Sequence, residues 1–265
     1  MLKQRVLTTL ILLPLMLAML FFSSNAVWAS FSGLIAMLTL WEYSRMCGMS
    51  EGERLPYLLS TAIFLMLASM GDWHLPALAW WAVLAFWLVL MPLWLWKKWV
   101  LKGGWQAYFT GWFVVLPFWF ALIDLHPNAE SALSLLSVMG LVWVADVFAY
   151  FFGKTFGKHK IAPQISPGKS WEGAIGGAFC VLIYMTIVRA AGWLSFDFSW
   201  FTTMLVALLL TVVSVCGDLL ESWLKRAAGV KDSSSLLPGH GGVFDRVDSL
   251  IAVLSVYAAI QVLSN

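Results

Sequence analysis

Residues 77–96 read ALAWWAVLAFWLVLMPLWLW, a run without one charged, amide or hydroxyl side chain. A helix rises about 1.5 Å per residue, so such a run is about 30 Å long, the thickness of a bilayer's hydrocarbon core. The run has no face to offer water, and it is not alone. Apolar stretches fall at 6–22, 26–44, 56–70, 77–96, 105–123, 131–152, 173–192, 199–220 and 249–264. Of the 265 residues 61% are hydrophobic and 11% charged, with a mean hydropathy of +0.84. An ordinary soluble domain carries about 25% charged residues. The expected fold class is therefore all-α, a polytopic integral membrane protein of about nine transmembrane helices with extended cytoplasmic loops.

The first run follows Lys3 and Arg5 and ends near AVWAS, in the manner of a signal peptide. It is long enough to span, and further spans follow, so a membrane helix is the expected reading. Cys47, Cys180 and Cys216 form no CxxC pair; Cys180 and Cys216 lie in apolar runs and read as packed hydrophobes. Trp73, Trp105, Trp193 and Trp200 stand near run ends, where interfacial anchoring accounts for them.

Charge sets the orientation. With a cytoplasmic N-terminus the inner segments are 1–5, 45–55, 97–104, 153–172 and 221–248, and they hold 15 of the 16 Lys and Arg residues. The outer connections 71–76, 124–130 and 193–198 carry Asp72, Asp124, Glu130 and Asp197 and no basic residue. This is the positive-inside pattern. The chain divides into residues 1–130, N-terminal helices for packing, and 131–265, a catalytic half; no internal repeat is visible.

Two inner segments are longer than connection requires, 145–177 and 217–249. Each opens with an acid inside an apolar helix, Asp146 and Asp218. A carboxylate in a span costs on the order of 2.5–3.5 kcal/mol even on insertion scales, so two at one face favour a site over structural pairing. Asp218 and Ser222 are spaced i, i+4, and Lys225 is i+7, which places them on one helix face; Glu221 and Arg226 fall elsewhere. Asp245 and Asp248 are i, i+3. Asp218, Asp245, Asp248 and the Ser222 hydroxyl make an oxygen set suited to Mg²⁺, which is held by one or two carboxylates together with phosphate oxygens. The alternative is an interfacial network in which these acids pair with Lys225, Arg226, Lys231 and Arg246. The loop PGHGG brings Gly239, Gly241 and Gly242, whose backbone can approach an anion closely, and His240, able to hydrogen-bond a phosphate or act as an acid. Together these features describe a polyphosphate site with Mg²⁺. SPGKS at 166–170 fails as a nucleotide-binding P-loop, because Pro163 stands where glycine is needed and no strand is expected before it. Lys169 and Ser170 still precede a helix N-terminus, a favourable place for phosphate. Lys154, Lys158, His159 and Lys160 add charge nearby, although anionic headgroups would also suit Lys158 and Lys160.

From Ser222 to Ser249 the chain reads S-x-x-K-R-x-x-x-x-K-D-x-x-x-x-x-P-G-H-G-G-x-x-D-R-x-D-S. This resembles the signature of the phosphatidate cytidylyltransferases, also called CDP-diacylglycerol synthases. GDLLES at 217–222, SPGKSWEG at 166–173 and DVFAYFFGKTFGKHK at 146–160 look like the same family's inner segments, and the likeness is greatest to the bacterial form. The close resemblance covers roughly residues 140–250. It implies a nucleotidyltransferase of phospholipid biosynthesis in the bacterial cytoplasmic (inner) membrane, with its active site facing the cytoplasm. The implied reaction converts CTP and phosphatidic acid into CDP-diacylglycerol and pyrophosphate. By this resemblance Asp218 and Asp248 hold Mg²⁺, Asp245 and Ser222 complete the site, and Asp146 is a further candidate; a monovalent cation such as K⁺ is also implied. Lys225, Arg226 and Lys231 would hold phosphates, and the segment with Lys169 and Ser170 would contact the nucleotide. Gly239, His240, Gly241, Gly242 and Arg246 complete the substrate-binding set, and Asp218, Asp245, Asp248 and Lys225 the catalytic one. The partners expected are CTP, phosphatidic acid from the inner leaflet, membrane lipids and a second copy of the chain in a homodimer, and no nucleic acid. Two other classes compete: a CTP-dependent kinase of a polyprenol or other lipid alcohol, which would need a base and release CDP, and a secondary transporter. The transporter reading fits poorly, since the acids cluster at one face rather than the midplane.

Overall fold

The computed structural model describes residues 2–126, 129–195 and 198–264. Asp197 lies outside them, as do the side chains of Lys3, Arg5 and Glu130. Each expected apolar run coincides with a helical rod. These are α1 Leu2–Phe22, α2 Asn25–Met46, α3 Glu51–Met70, then α4 Ala77–Ala85 continued through a π-helical turn at Phe86–Leu90 into α5 Met91–Lys97. They continue with α6 Gly104–Asp124, α7 Ala129–Phe156, α8 Trp171–Ala190, α9 Trp200–Ala227 and α10 Phe244–Ser264. Among the described residues, six rods are long and apolar enough by length and composition to cross a membrane: 77–97 and the rods from α6 to α10. The α2 and α3 rods, with Glu42 and Arg45 and with Glu53 and Arg54, fall outside that set. The π turn precedes Pro92, which has no N–H to give and forces a change of hydrogen-bond register.

Helix α10 is the axis of the bundle. Phe244 and residues 249–259 are buried on every side, against α9, α6 and α4. A helix apolar all round must be enclosed by others. Helices α7 and α8 form the most extensive pair. Their seam exists because α8 presents Gly173 and Gly177 at i, i+4. A Cβ added at Gly177 would stand 2.8 Å from the Ala145 carbonyl oxygen, and one at Gly173 2.7 Å from that of Ala149. Small residues at this spacing let two helices approach to backbone contact in a membrane.

One expectation does not hold. Strand β1, Lys160–Ala162, stands before SPGKS, and SPGKS is itself β2, Ser166–Ser170, paired antiparallel with it. The short hairpin turns at Pro163 and Gln164 and runs straight into α8. Glu172 fixes its base: the main-chain N–H of Lys158 donates to it at 3.1 Å, and His159 Nδ1 lies 2.6 Å from it. Ser170 is the N-cap of α8, its hydroxyl accepting from the Gly173 N–H at 3.2 Å. The hairpin carries Lys169 to Asp218, nine residues short of the end of α9.

The glycine seam yields a test. Gly177→Leu should lower stability by roughly 1–3 kcal/mol through overpacking against an immovable carbonyl. It would be read as a lower thermal unfolding midpoint of the purified protein in detergent. Gly168→Ala, where an added Cβ meets nothing within 4 Å, should leave the midpoint unchanged.

Candidate active site

The site forms beside the hairpin where the start of α10 meets α7 and α9, with Asp146 ten residues before the last of α7 and Asp218 nine before the last of α9. A Cβ at Gly217 would meet the Asp248 carbonyl oxygen at 2.7 Å, so glycine there lets α9 and α10 touch. That contact sets Asp218 beside Asp248. The Ser222 hydroxyl donates to Asp218 Oδ1 at 3.1 Å, and Lys169 Nζ lies 2.6 Å from Asp218 Oδ2. Asp146, from α7, is exposed into this region, and Asp146 and Asp248 both feel the charges of Asp218 and Lys169. Asp248 Oδ1 also accepts from the Ser249 N–H at 2.6 Å. The result is three acids from three helices within electrostatic reach of one another, with Lys169 held against Asp218.

Asp245 has different partners from Asp248, although they are three residues apart. Its Oδ1 accepts from Lys225 Nζ at 2.6 Å. Its Oδ2 accepts from the main-chain N–H groups of Ser233 and Gly242, each at 2.8 Å, with the Ser233 hydroxyl 2.8 Å away. Asp245 thus closes the motif loop upon itself. Lys225 also stands 2.5 Å from Glu221 Oε2. Glu221 is 1% exposed, and its oxygens otherwise lack a well-aligned donor. The sequence reading put Glu221 on another face, away from Lys225, but the two are i, i+4 and meet directly. Of the proposed ligand set, the structure pairs Asp218 with Ser222, leaves Asp248 and Asp146 within electrostatic range of Asp218, and gives Asp245 to Lys225 and the loop. Among the described residues, no three His, Cys, Asp or Glu side chains converge as a ready-made metal cage.

The glycine loop has an unforeseen occupant. Gly239 and Gly241 take φ of +78° and +81°, the left-handed conformation that glycine adopts without strain. Beyond them, the N–H groups of Val243 and Phe244 donate to Glu42, at 2.9 Å to Oε1 and 2.6 Å to Oε2. The Ser234 hydroxyl donates to Oε1 at 2.5 Å, and the Ser233 hydroxyl lies 3.0 Å from Oε2. Glu42, on α2, is completely buried. At Gly242 a Cβ would stand 2.3 Å from Glu42 Oε1, so this glycine is needed for close approach. Of the loop glycines offered for a phosphate, Gly242 donates to Asp245 instead, and the next two N–H groups, of Val243 and Phe244, hold Glu42. Glu42 went unremarked in the sequence, although the reasoning applied to Asp146, an acid within an apolar run, applies to it equally.

The remaining predicted residues frame the loop. Arg246 donates through Nε and Nη2 to the His240 carbonyl, at 3.0 and 2.7 Å. His240 Nε2 lies 3.2 Å from Thr9 Oγ1, and Thr8 donates to the Pro238 carbonyl at 2.9 Å, so α1 lies against PGHGG. Arg226 donates to the Ile165 carbonyl at 3.3 Å, tying α9 to the hairpin. Lys231 is exposed. The Ser170 hydroxyl, 3% exposed, is committed to capping α8. The arrangement offers two lysines and a cluster of carboxylates at one end of a membrane bundle, a setting for handling polyanions with a divalent cation.

Comparison with known proteins places this geometry. The chain matches the cytidylyltransferase family over residues 3–263. It is 40% identical to a phosphatidate cytidylyltransferase of Pseudomonas aeruginosa, covering 98% of this chain and 97% of the relative. It is 36% identical to the Haemophilus influenzae protein of the same name, covering 97% and 98%. A Brucella abortus relative, also so named, is 46% identical over 46% of this chain and 44% of its own. A match across nearly the whole length, with the motif residues gathered at one end of the bundle, makes this chain a member of the cytidylyltransferase family, a membrane-embedded nucleotidyltransferase.

Proposed function

We propose that this enzyme transfers the cytidylyl group of CTP to phosphatidic acid, giving CDP-diacylglycerol and pyrophosphate. The observation that carries the reading is the acid cluster of Asp146, Asp218 and Asp248 with Lys169 held against it, in a chain whose full-length relatives bear that activity in their names. A phosphate monoester has a second pKa of about 6, so the lipid arrives at neutral pH already largely ionised. Its oxygen attacks the α-phosphorus; the new P–O bond forms as the bond from that phosphorus to the β-phosphate oxygen breaks, and pyrophosphate leaves. No proton need be removed from the attacking oxygen, and no covalent protein intermediate is required. The work left to the protein is positioning and charge neutralisation. Lys169 and Lys225 supply ammonium groups for the phosphates, and the exposed Arg226, Lys231 and Arg246 draw in the nucleotide.

The donor chemistry fits Mg²⁺, which takes one or two carboxylates and leaves its other positions to water and phosphate oxygens. Asp218 and Asp248 would hold it, with Asp146 and the Ser222 hydroxyl beside them. When bound, it neutralises the charge of the transferring phosphates. We place the site at the cytoplasmic face of the bacterial inner membrane, on the asymmetry of Lys and Arg along the chain. There, CTP reaches it from water and the lipid from the adjoining leaflet.

With phosphatidic acid in mixed micelles, Mg²⁺ and α-³²P-labelled CTP, label should enter the lipid phase with release of pyrophosphate. Asp218→Asn should reduce this by roughly 10²-fold or more, the usual scale for losing a group that stabilises transition-state charge. Chelation of divalent cations should abolish it. Intact CTP and unlabelled lipid with folded wild-type protein would refute the assignment. Phosphate label passing from the γ position to an added polyprenol would establish a kinase instead. A further expectation concerns Glu42. Glu42→Gln keeps the shape but turns an NH₂ toward groups that are themselves donors. It should cost roughly 1.5–3 kcal/mol in thermal unfolding and lower transfer activity, with Glu42→Asp retaining part of both.

A further inference from the structure

At the end of the bundle opposite the acid cluster lies a cavity of about 1180 Å³ between the N-terminal end of α2 and the C-terminal ends of α3 and α6. It is larger than the ~300–1,000 Å³ of ordinary ligand pockets. Its mouth carries Asp72, His74 and Asp124, with His74 Nδ1 2.7 Å from Asp124 Oδ1 and Nε2 3.9 Å from Asp72 Oδ1. Among the described residues no Lys or Arg lines it. With two carboxylates and one imidazole, the mouth stays net negative whether His74 is charged or not. Its deeper walls are apolar, including Met37 and Leu65. Along α2 the lining runs from Asn25 to Met37, about 18 Å at 1.5 Å per residue, roughly one leaflet of a ~30 Å core.

The two ends of the cavity fit one kind of molecule, the acidic mouth taking a cation and the apolar lining a hydrocarbon chain about one leaflet long. We infer that this cavity binds one phospholipid of the leaflet opposite the active site, with an ammonium headgroup at the acidic mouth and an acyl chain along Met37 and Leu65. Anionic headgroups are disfavoured by the two carboxylates. The inference stands apart from the cytidylyl-transfer reading.

The test is native mass spectrometry of the purified full chain, delipidated in detergent and titrated with dioleoyl phosphatidylethanolamine or dioleoyl phosphatidylglycerol. The ethanolamine lipid should be retained roughly two- to fivefold better, the scale of one favourable ionic contact. Asp124→Asn should erase the preference, and Met37→Trp, which fills the apolar part, should reduce retention of both lipids. Both variants should keep the elution volume and the transfer activity of the wild type, since they lie at the far end of the bundle. Equal retention of the two lipids would overturn the inference, as would retention indifferent to both variants. A dimer whose partner copy covers the cavity would show that indifference together with a doubled mass.

Discussion

A carboxylate without water around it is an expensive group to bury, and the candidate active site is built on one. Glu42 has no exposed surface, yet each of its oxygens receives a main-chain N–H and a serine hydroxyl stands beside each. Those N–H groups belong to Val243 and Phe244, the start of α10, where a helix leaves its first donors unsatisfied and its dipole is positive. One negative charge therefore caps the central helix, seats the glycine loop and fixes the direction in which Asp245 and Asp248 leave the helix start. Helix α2 is part of the candidate site's scaffold as much as α9 is. With α1 touching Pro238 and His240, the loop is held by both halves of the chain.

How far the sequence reveals this depends on the range of each interaction. The rods are legible because a span must satisfy its own backbone hydrogen bonds, which leaves a run of apolar residues as its mark. Asp146 and Asp218 stand out because an acid in such a run needs a reason. The pairing of Glu221 with Lys225 was also within reach, being an i, i+4 contact; reading Lys225 with Asp218 at i+7 set it aside. The Glu42 contacts were not legible, since they join residues about 190 to 200 positions apart and nothing local marks a glutamate as the partner of a distant turn. The hairpin escaped for a different reason. Proline and glycine in SPGKS argue against a strand, and only the pairing with Lys160–Ala162 and the anchoring of Glu172 make it one. Glycines were the clearest signals, although what they approach was not. Gly239 and Gly241 take the positive φ the loop requires, while the anion at Gly242 is the protein's own.

That substitution bears on how phosphate can bind. With the N–H groups of Gly242, Val243 and Phe244 taken by Asp245 and Glu42, side chains carry the full positive charges open to a polyanion. Lys225 lies between Glu221 and Asp245, two acids sharing one ammonium, so its position is set by both. Lys169 lies on a single acid, Asp218, and an ammonium has three N–H donors. It can therefore turn toward a phosphate without leaving Asp218, and any positive charge brought to Asp218 loosens the pair further. The more tightly held Lys225 presents its ammonium to phosphate at a fixed place, and the less constrained Lys169 can follow the substrate. Lys169 sits on a hairpin rather than on a spanning helix, which gives it the freedom of movement that such a role needs.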